Sequence, residues 1–298
     1  MKKLLALPAV LLLTGCTVMD VVGPRPNSEI MALAKQASAD WVFGSDDTPE
    51  WREMRKFHSE QLKDEALRLC GTDENGETPS TCDVSFGDTD LPAQSDAPGL
   101  LARTVDAAGK VPDDSVDLIV AQAIDALALT PVALDNSGQP GNAGTDPGNA
   151  EQREPALSPL SKDTDIASAK AMLARENALY YGLGLALAYA DPDLRRRIGE
   201  LRESSHERTA ALVEILPEEG TDGQPETDGV DPAEALVPAA GYQFAEGFSE
   251  PTSLQEATAL VNTMQSDLVK EWRRTAADAP SQGWMADAIL LAAHAQRS

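Results

Sequence analysis

Residues 190–193, Ala190-Asp191-Pro192-Asp193, constrain the fold more than any other stretch of this chain. Asp191 suits the N-cap of a helix, and Pro192 suits the first helical position, where its missing N–H costs nothing. One helical pattern over residues 163–190 therefore stops as another, over residues 192–216, begins. So tight a connection forces two long helices to lie side by side and antiparallel. The first carries Met172, Leu179, Leu183 and Leu187 on one stripe, with Glu176 pointing inward in their midst. The second aligns Leu194, Ile198, Leu201, Ser205, Leu212 and Leu216.

Aromatic residues make up only 4% of the 298, and alanine is abundant. Alanine and leucine favour helices where β-branched and aromatic residues favour strands, so the expectation is an all-α protein. Residues 28–43 read as a helix with Ile30, Leu33, Ala34, Ala37 and Trp41 on one face. A second opens at Thr48-Pro49-Glu50, runs to about residue 69 on Trp51, Met54, His58, Leu62 and Leu69, and ends at Gly71. These two are expected to form an antiparallel hairpin. Residues 112–129 return to helix, with acids in the first turn where the helix dipole favours them. Residues 253–277, with Leu254, Val261, Leu268 and Trp272 in register, and residues 284–296 complete the set.

Between these elements, residues 71–102 hold no lysine or arginine and read as an acidic loop. Residues 135–155 have the composition of a flexible linker. Residues 217–252 form a long crossing segment, and no basic residue occurs between Arg208 and Lys270. The division expected is a signal peptide at 1–15, a tether at 16–27, an N-terminal helical region at 28–134, a linker at 135–162 and a helical domain at 163–298. No convincing internal repeat emerges. Only "RKFH" at 55–58 is faintly echoed by "ESSH" at 203–206.

The formal charge of −25 argues against nucleic-acid partners, which need a basic footprint. The N-terminus points to an address. Lys2 and Lys3 precede about ten apolar residues, too few for a membrane span of about 20. Leu13-Thr14-Gly15-Cys16 then resembles a bacterial lipobox, in which the cysteine takes up a diacylglyceryl group before cleavage. The expected mature chain begins at Cys16 and is held by its acyl chains on the outer leaflet of the cytoplasmic membrane. In that oxidising setting the remaining cysteines, Cys70 and Cys82, are expected to pair. Their spacing lacks the C-x-x-C pattern of a redox pair.

Two hairpins joined by a long crossover have the connectivity of a ferritin-like bundle. "ENALYYGLGLA", "HERTAALVEIL" and "PAAGYQF" before "PTSLQEATALV" resemble the ferritin-like domain found in actinobacterial proteins, often lipoproteins, over residues 164–297. The resemblance implies a fold and leaves the reaction open, because no activity is established for such families. The residues 28–69 hairpin would pack on that bundle as an addition.

A ferritin-like di-iron site needs a carboxylate from each of two helices and Glu-x-x-His from each of the other two. Glu176 points inward and qualifies. Gly182 and Gly184 on the stripe's edges suggest close helix packing. Glu203 and His206 have the right spacing, but Glu203 lies opposite the apolar stripe and His206 on its border. The next helix offers Gln265, a poor iron ligand, and the last offers Asp287 and His294 two turns apart on a flank. The full site is missing, so no cofactor is expected. Glu176, His206, Glu203 and His58 remain the candidates for a residual metal site. Otherwise Glu176 is a buried carboxylate that must find a partner in Tyr180, Gln265 or an arginine. His58 and Glu65 share a face of the second helix and would join Glu176 in a polar cluster if the hairpins pack together.

There is no glycine-rich phosphate loop, no G-x-S-x-G and no H-E-x-x-H. The acids near glycine at 73–77 and 222–231 do not fit an EF-hand. The chain is therefore expected to bind or scaffold a partner in the cell envelope without catalysis. Its competitors are a metal-binding oxidoreductase or storage protein, and a carrier with an apolar pocket between helices.

Overall fold

The computed structural model of the protein describes residues 23–44, 48–130, 134, 157–217 and 250–298. The stretch expected to be a signal peptide, Cys16, residues 135–156 of the expected linker and most of the crossing segment lie outside the described residues. Those described form eight α-helices and two short 3₁₀ turns, with no strand. The helices are α1 (Ser28–Phe43), α2 (Pro49–Cys70), α3 (Ala97–Ala108), α4 (Asp113–Ala128), α5 (Asp163–Ala186), α6 (Pro192–Ile215), α7 (Leu254–Ala277) and α8 (Gln282–Arg297). The chain is thus an all-α bundle, and no described helix is long and apolar enough to cross a membrane.

Side-chain caps set most of the helix starts. Asn27 accepts from the backbone of Glu29 and Ile30, Asp191 from Leu194, Ser253 from Glu256 and Ser281 from Trp284. Each satisfies an amide that the first helical turn leaves without an intrahelical partner. A 3₁₀ turn, Leu187–Tyr189, fills the corner between α5 and α6.

Residues 71–102 do not form the continuous loop that their composition suggests. Asp96 caps α3 through the Gly99 amide, and Leu100, Leu101, Thr104 and Ala107 of α3 are buried. The loop ahead of α3 is also pinned. A disulfide joins Cys70 at the end of α2 to Cys82, with the Cα atoms 6.3 Å apart. The Phe86 ring receives the ammonium groups of Lys35 and Lys63, at 5.8 and 4.1 Å from its centroid.

The helices fall into two sets with the same wiring. In the first, α1 and α4 each pack against both α2 and α3. In the second, α5 and α8 each pack against both α6 and α7. The sets meet through α4–α8, α4–α7 and α3–α8 contacts, a list that is unchanged when the sets are exchanged. The second helices agree in sequence spacing too. Thr48-Pro49-Glu50-Trp51-Arg52 opens α2 as Asp191-Pro192-Asp193-Leu194-Arg195 opens α6. Their buried stripes, Trp51, Arg55, His58, Leu62, Glu65 and Leu194, Ile198, Leu201, Ser205, Arg208, keep identical intervals. The repeat that residue identities do not reveal is therefore visible in helix contacts and burial. The main apolar core, from Ile30 and Leu62 through Ile124 to Leu183, Leu212 and Ile289, runs across both sets, and Trp51, Leu100 and Ala126 form a small second cluster.

Candidate functional site

Glu176 sits near the midpoint of α5 with no solvent exposure, and two helices supply its partners. Arg208 Nε of α6 donates to its Oε1 at 2.6 Å, and Arg208 Nη2 to its Oε2 at 3.1 Å. Ser205 Oγ, one turn before Arg208, donates to Oε2 at 2.7 Å. The Trp272 indole of α7 donates to Oε1 at 2.7 Å. Of the three partners open to Glu176 in the sequence, the arginine is the one the fold supplies. Tyr180 is 43% exposed, with the Arg202 guanidinium 4.0 Å from its ring centroid, and Gln265 Nε2 donates to the Ala295 carbonyl. The serine and indole donors are additional, and sequence spacing does not find them.

Arg208 is also fully buried, and its remaining donors lead to α8. Nη1 lies 3.2 Å from His294 Nδ1, and His294 Nε2 lies 2.9 Å from Glu207 Oε2. Burial first, then the cations of Arg208 and Arg297, push His294 down to about 4. The imidazole is therefore neutral near pH 7, accepting from Arg208 at Nδ1 and donating from Nε2 to Glu207. His294 and Asp287 are buried residues, where sequence spacing places them on a flank. Burial raises Asp287 to about 7, against the Ser158 amide hydrogen bond that acts to lower it.

The first set contains a second charged cluster. Asp40 of α1 has no exposed surface and accepts from Arg55 Nε at 2.9 Å, Gln36 Nε2 at 2.9 Å and the Ser95 amide at 2.7 Å. Arg55 Nη1 then lies 3.1 Å from His58 Nδ1. Burial and the Arg55 cation push His58 down to about 3. Each set thus pairs a buried carboxylate with a buried arginine that leans on a neutral histidine. His58 and Glu65 do not join Glu176. Glu65 turns to Arg68, with Nε at 2.6 Å, and to Ser115 at 2.5 Å.

The geometry decides what Glu176 can do. A carboxylate offers about four lone-pair sites, and four donors already occupy them. No lone pair remains for a metal or for proton abstraction, and a guanidinium stands where a second cation would have to enter. Glu203 and His206 are exposed on α6, and His58 belongs to the other set. Among the described residues no three His, Cys, Asp or Glu side chains converge to hold a metal ion. The ferritin-type ligand set does not fit this cluster. A surface cleft at the starts of α2 and α3 is lined by Pro49, Trp51, Ala97 and Leu129, with Glu50, Asp96 and Ser95 among its polar groups.

Compared with known proteins, the chain matches no family model, no curated protein and no solved structure.

Proposed function

We propose that this is a lipid-anchored protein of the cell envelope whose second set, α5–α8, is a ferritin-like bundle serving as a non-catalytic scaffold. The Cys16 lipobox carries the anchoring part of this reading. One observation carries the rest: the central carboxylate is neutralised by Arg208, a cation supplied by the protein itself. A bundle whose inward glutamate is committed in this way keeps the helix arrangement and gives up the open coordination that metal chemistry needs. The acidic segments then offer a surface to an envelope partner.

Elemental analysis of protein purified without a chelating tag tests the scaffold reading. The expected result is less than a tenth of an equivalent of iron, manganese or zinc, unchanged in a Glu176→Gln variant. A stoichiometric metal that is lost in that variant would overturn it. The anchor is tested separately: Cys16→Ser should move the protein from the membrane to the soluble fraction of a lipoprotein-processing host.

A further inference from the structure

Exchanging the two sets of helices carries one surface cleft onto another. The cleft at the starts of α2 and α3, about 510 Å³ in volume, is bounded by Leu129 and Thr130 just past α4. Its counterpart, about 500 Å³, lies at the start of α6, beside Thr258 in the second turn of α7 and Ser298 just past α8. The places match, but the chemistry differs. In the second cleft, arginines stand among the acids. Arg196 lies 3.5 Å from Asp193 and 3.6 Å from Glu200, and Arg197 donates to Asn262 Oδ1 at 2.7 Å.

The first cleft keeps polar groups that the protein leaves unused. Among the described residues, Glu50 and Asp96 line it and no lysine or arginine does. Asp96 Oδ1 caps α3 at the Gly99 amide, and the Thr130 carbonyl at the rim accepts from Arg297 at 2.8 Å. Glu50 is exposed and has no hydrogen bond or ion pair among the described residues. Trp51 stands where the stripe of the second set has Leu194, and it is nine-tenths buried. Trp272 and Trp284 each give their indole N–H to an oxygen, yet the Trp51 N–H has no acceptor among the described residues. That nitrogen is not sealed in the core either, so it opens on the cleft that its ring lines. A donor held at a cleft wall without a protein acceptor is a place for a ligand oxygen.

We propose that this cleft holds a segment of a partner protein in which a lysine or arginine stands beside an apolar residue. A peptide carbonyl of the segment accepts from the Trp51 indole. Its apolar side chain lies on Pro49, Ala97 and Leu129, the last of these 38% exposed. Its cation meets Glu50 and Asp96. Charge complementarity selects the occupant: a chain of formal charge −25 draws a basic segment in and repels an acidic one. The second cleft does not compete for it, because guanidiniums already stand among its carboxylates and Leu194 supplies no donor. The proposal gives the scaffold reading its partner. It rests on that reading in one respect, that the occupant is a protein held in place and not a substrate turned over.

The test titrates acetyl-Lys-Leu-Lys-Leu-amide into the full-length, nitrogen-15-labelled chain and follows the indole N–H cross-peaks by NMR. A Trp51→Phe variant assigns the Trp51 peak. That peak should move saturably while those of Trp272 and Trp284 stay in place, and the peptide with glutamate in place of lysine should leave all of them unmoved. Glu50→Gln should weaken binding about fivefold, whereas Asp193→Asn, at the matching place in the second cleft, should change it by less than about twofold. If Trp51→Phe fails to fold, the ratio between these two exposed-acid variants decides alone. Equal weakening by both would overturn the proposal, because the acidic surface at large would then hold the peptide. So would a Trp51 peak that does not move at millimolar peptide. Lysine amide binding as tightly as the peptide would overturn it in favour of a free amine, and a wild-type dimer that Glu50→Gln splits would do so in favour of a second copy of the chain.

Discussion

Glu176 and Arg208 are both without solvent exposure, so neither can be neutralised alone without stranding the other's charge in a low-dielectric interior. Viewed only as a hydrogen-bonded core residue, Glu176 should tolerate an isosteric amide with modest loss. The ion pair changes that expectation. Glu176→Gln should destabilise by about 3–5 kcal/mol, whereas a Glu176→Leu, Arg208→Met double variant should recover part of that loss, the remainder being the Trp272 and Ser205 donors left without an acceptor. Urea midpoints of the three proteins check this. Titration adds a second expectation. Asp287 has a folded value near 7, above its unfolded value of about 3.9, so its contribution to stability is full below about pH 4 and is lost as pH rises to 7. His58 and His294 are depressed to about 3 and about 4, so theirs are full above their unfolded value of about 6.5 and are lost as pH falls through those values. The two trends oppose each other between about pH 4 and 6.5. Asp287→Asn removes the opposing one, and its stability should rise more steeply with pH than wild type when followed by chemical denaturation.

At the scale of the element, Gly182 and Gly184 separate a packing role from a propensity cost. A Cβ on Gly182 would lie 2.3 Å from the Met264 sulfur, whereas a Cβ on Gly184 meets nothing within 4 Å. Only the first glycine records the close approach of α5 and α7 that both suggest in the sequence. Gly184→Ala should stabilise by about 0.5–1 kcal/mol through helix propensity. Gly182→Ala should be neutral or destabilising, because Met264 must move first; thermal midpoints distinguish them. Helix boundaries are legible where caps are strong, and α1, α6 and α7 lie where Ser28, Pro192 and Leu254 announce them. Helix α3 is hidden because Pro98 and Gly99 occupy its first turn and read as loop chemistry. The Asp40–Arg55 pair is hidden for a related reason. Periodicity scores a charge on an apolar stripe as an interruption and cannot see that a second interruption on the neighbouring helix neutralises it. Glu176 stands out in the sequence because leucines flank it, but which donor reaches it depends on how α6 and α7 are rotated.

Across the whole molecule, the two sets of four helices behave as one body because α3, α4, α7 and α8 share a core, and a polar clasp crosses the seam. Asp125 of α4 accepts from Arg273 of α7 and from Gln296 of α8, the latter at 2.9 Å. Unfolding should therefore be a single transition in wild type. An Asp125→Ala, Arg273→Ala variant should lose about 1–2 kcal/mol and begin to show two transitions, as tryptophan fluorescence and circular dichroism cease to coincide. Resemblance in the sequence covers only the second set, so the matched wiring of the first was not legible without the contacts.

The indole that completes the Glu176 cluster also gives the molecule an optical gauge. Trp272 and Trp284 are almost wholly buried with their ring centroids 6.5 Å apart, and each donates its N–H, one to the carboxylate and one to Ser168. Emission from this pair reports the closing of the ion pair at the moment the fourfold packing forms. Trp51, on the other set and next to Leu100, reports a different event. Replacing Trp41 and Trp51 with phenylalanine would leave a fluorescence signal from the second set alone, to be timed against the wild-type signal as the molecule assembles.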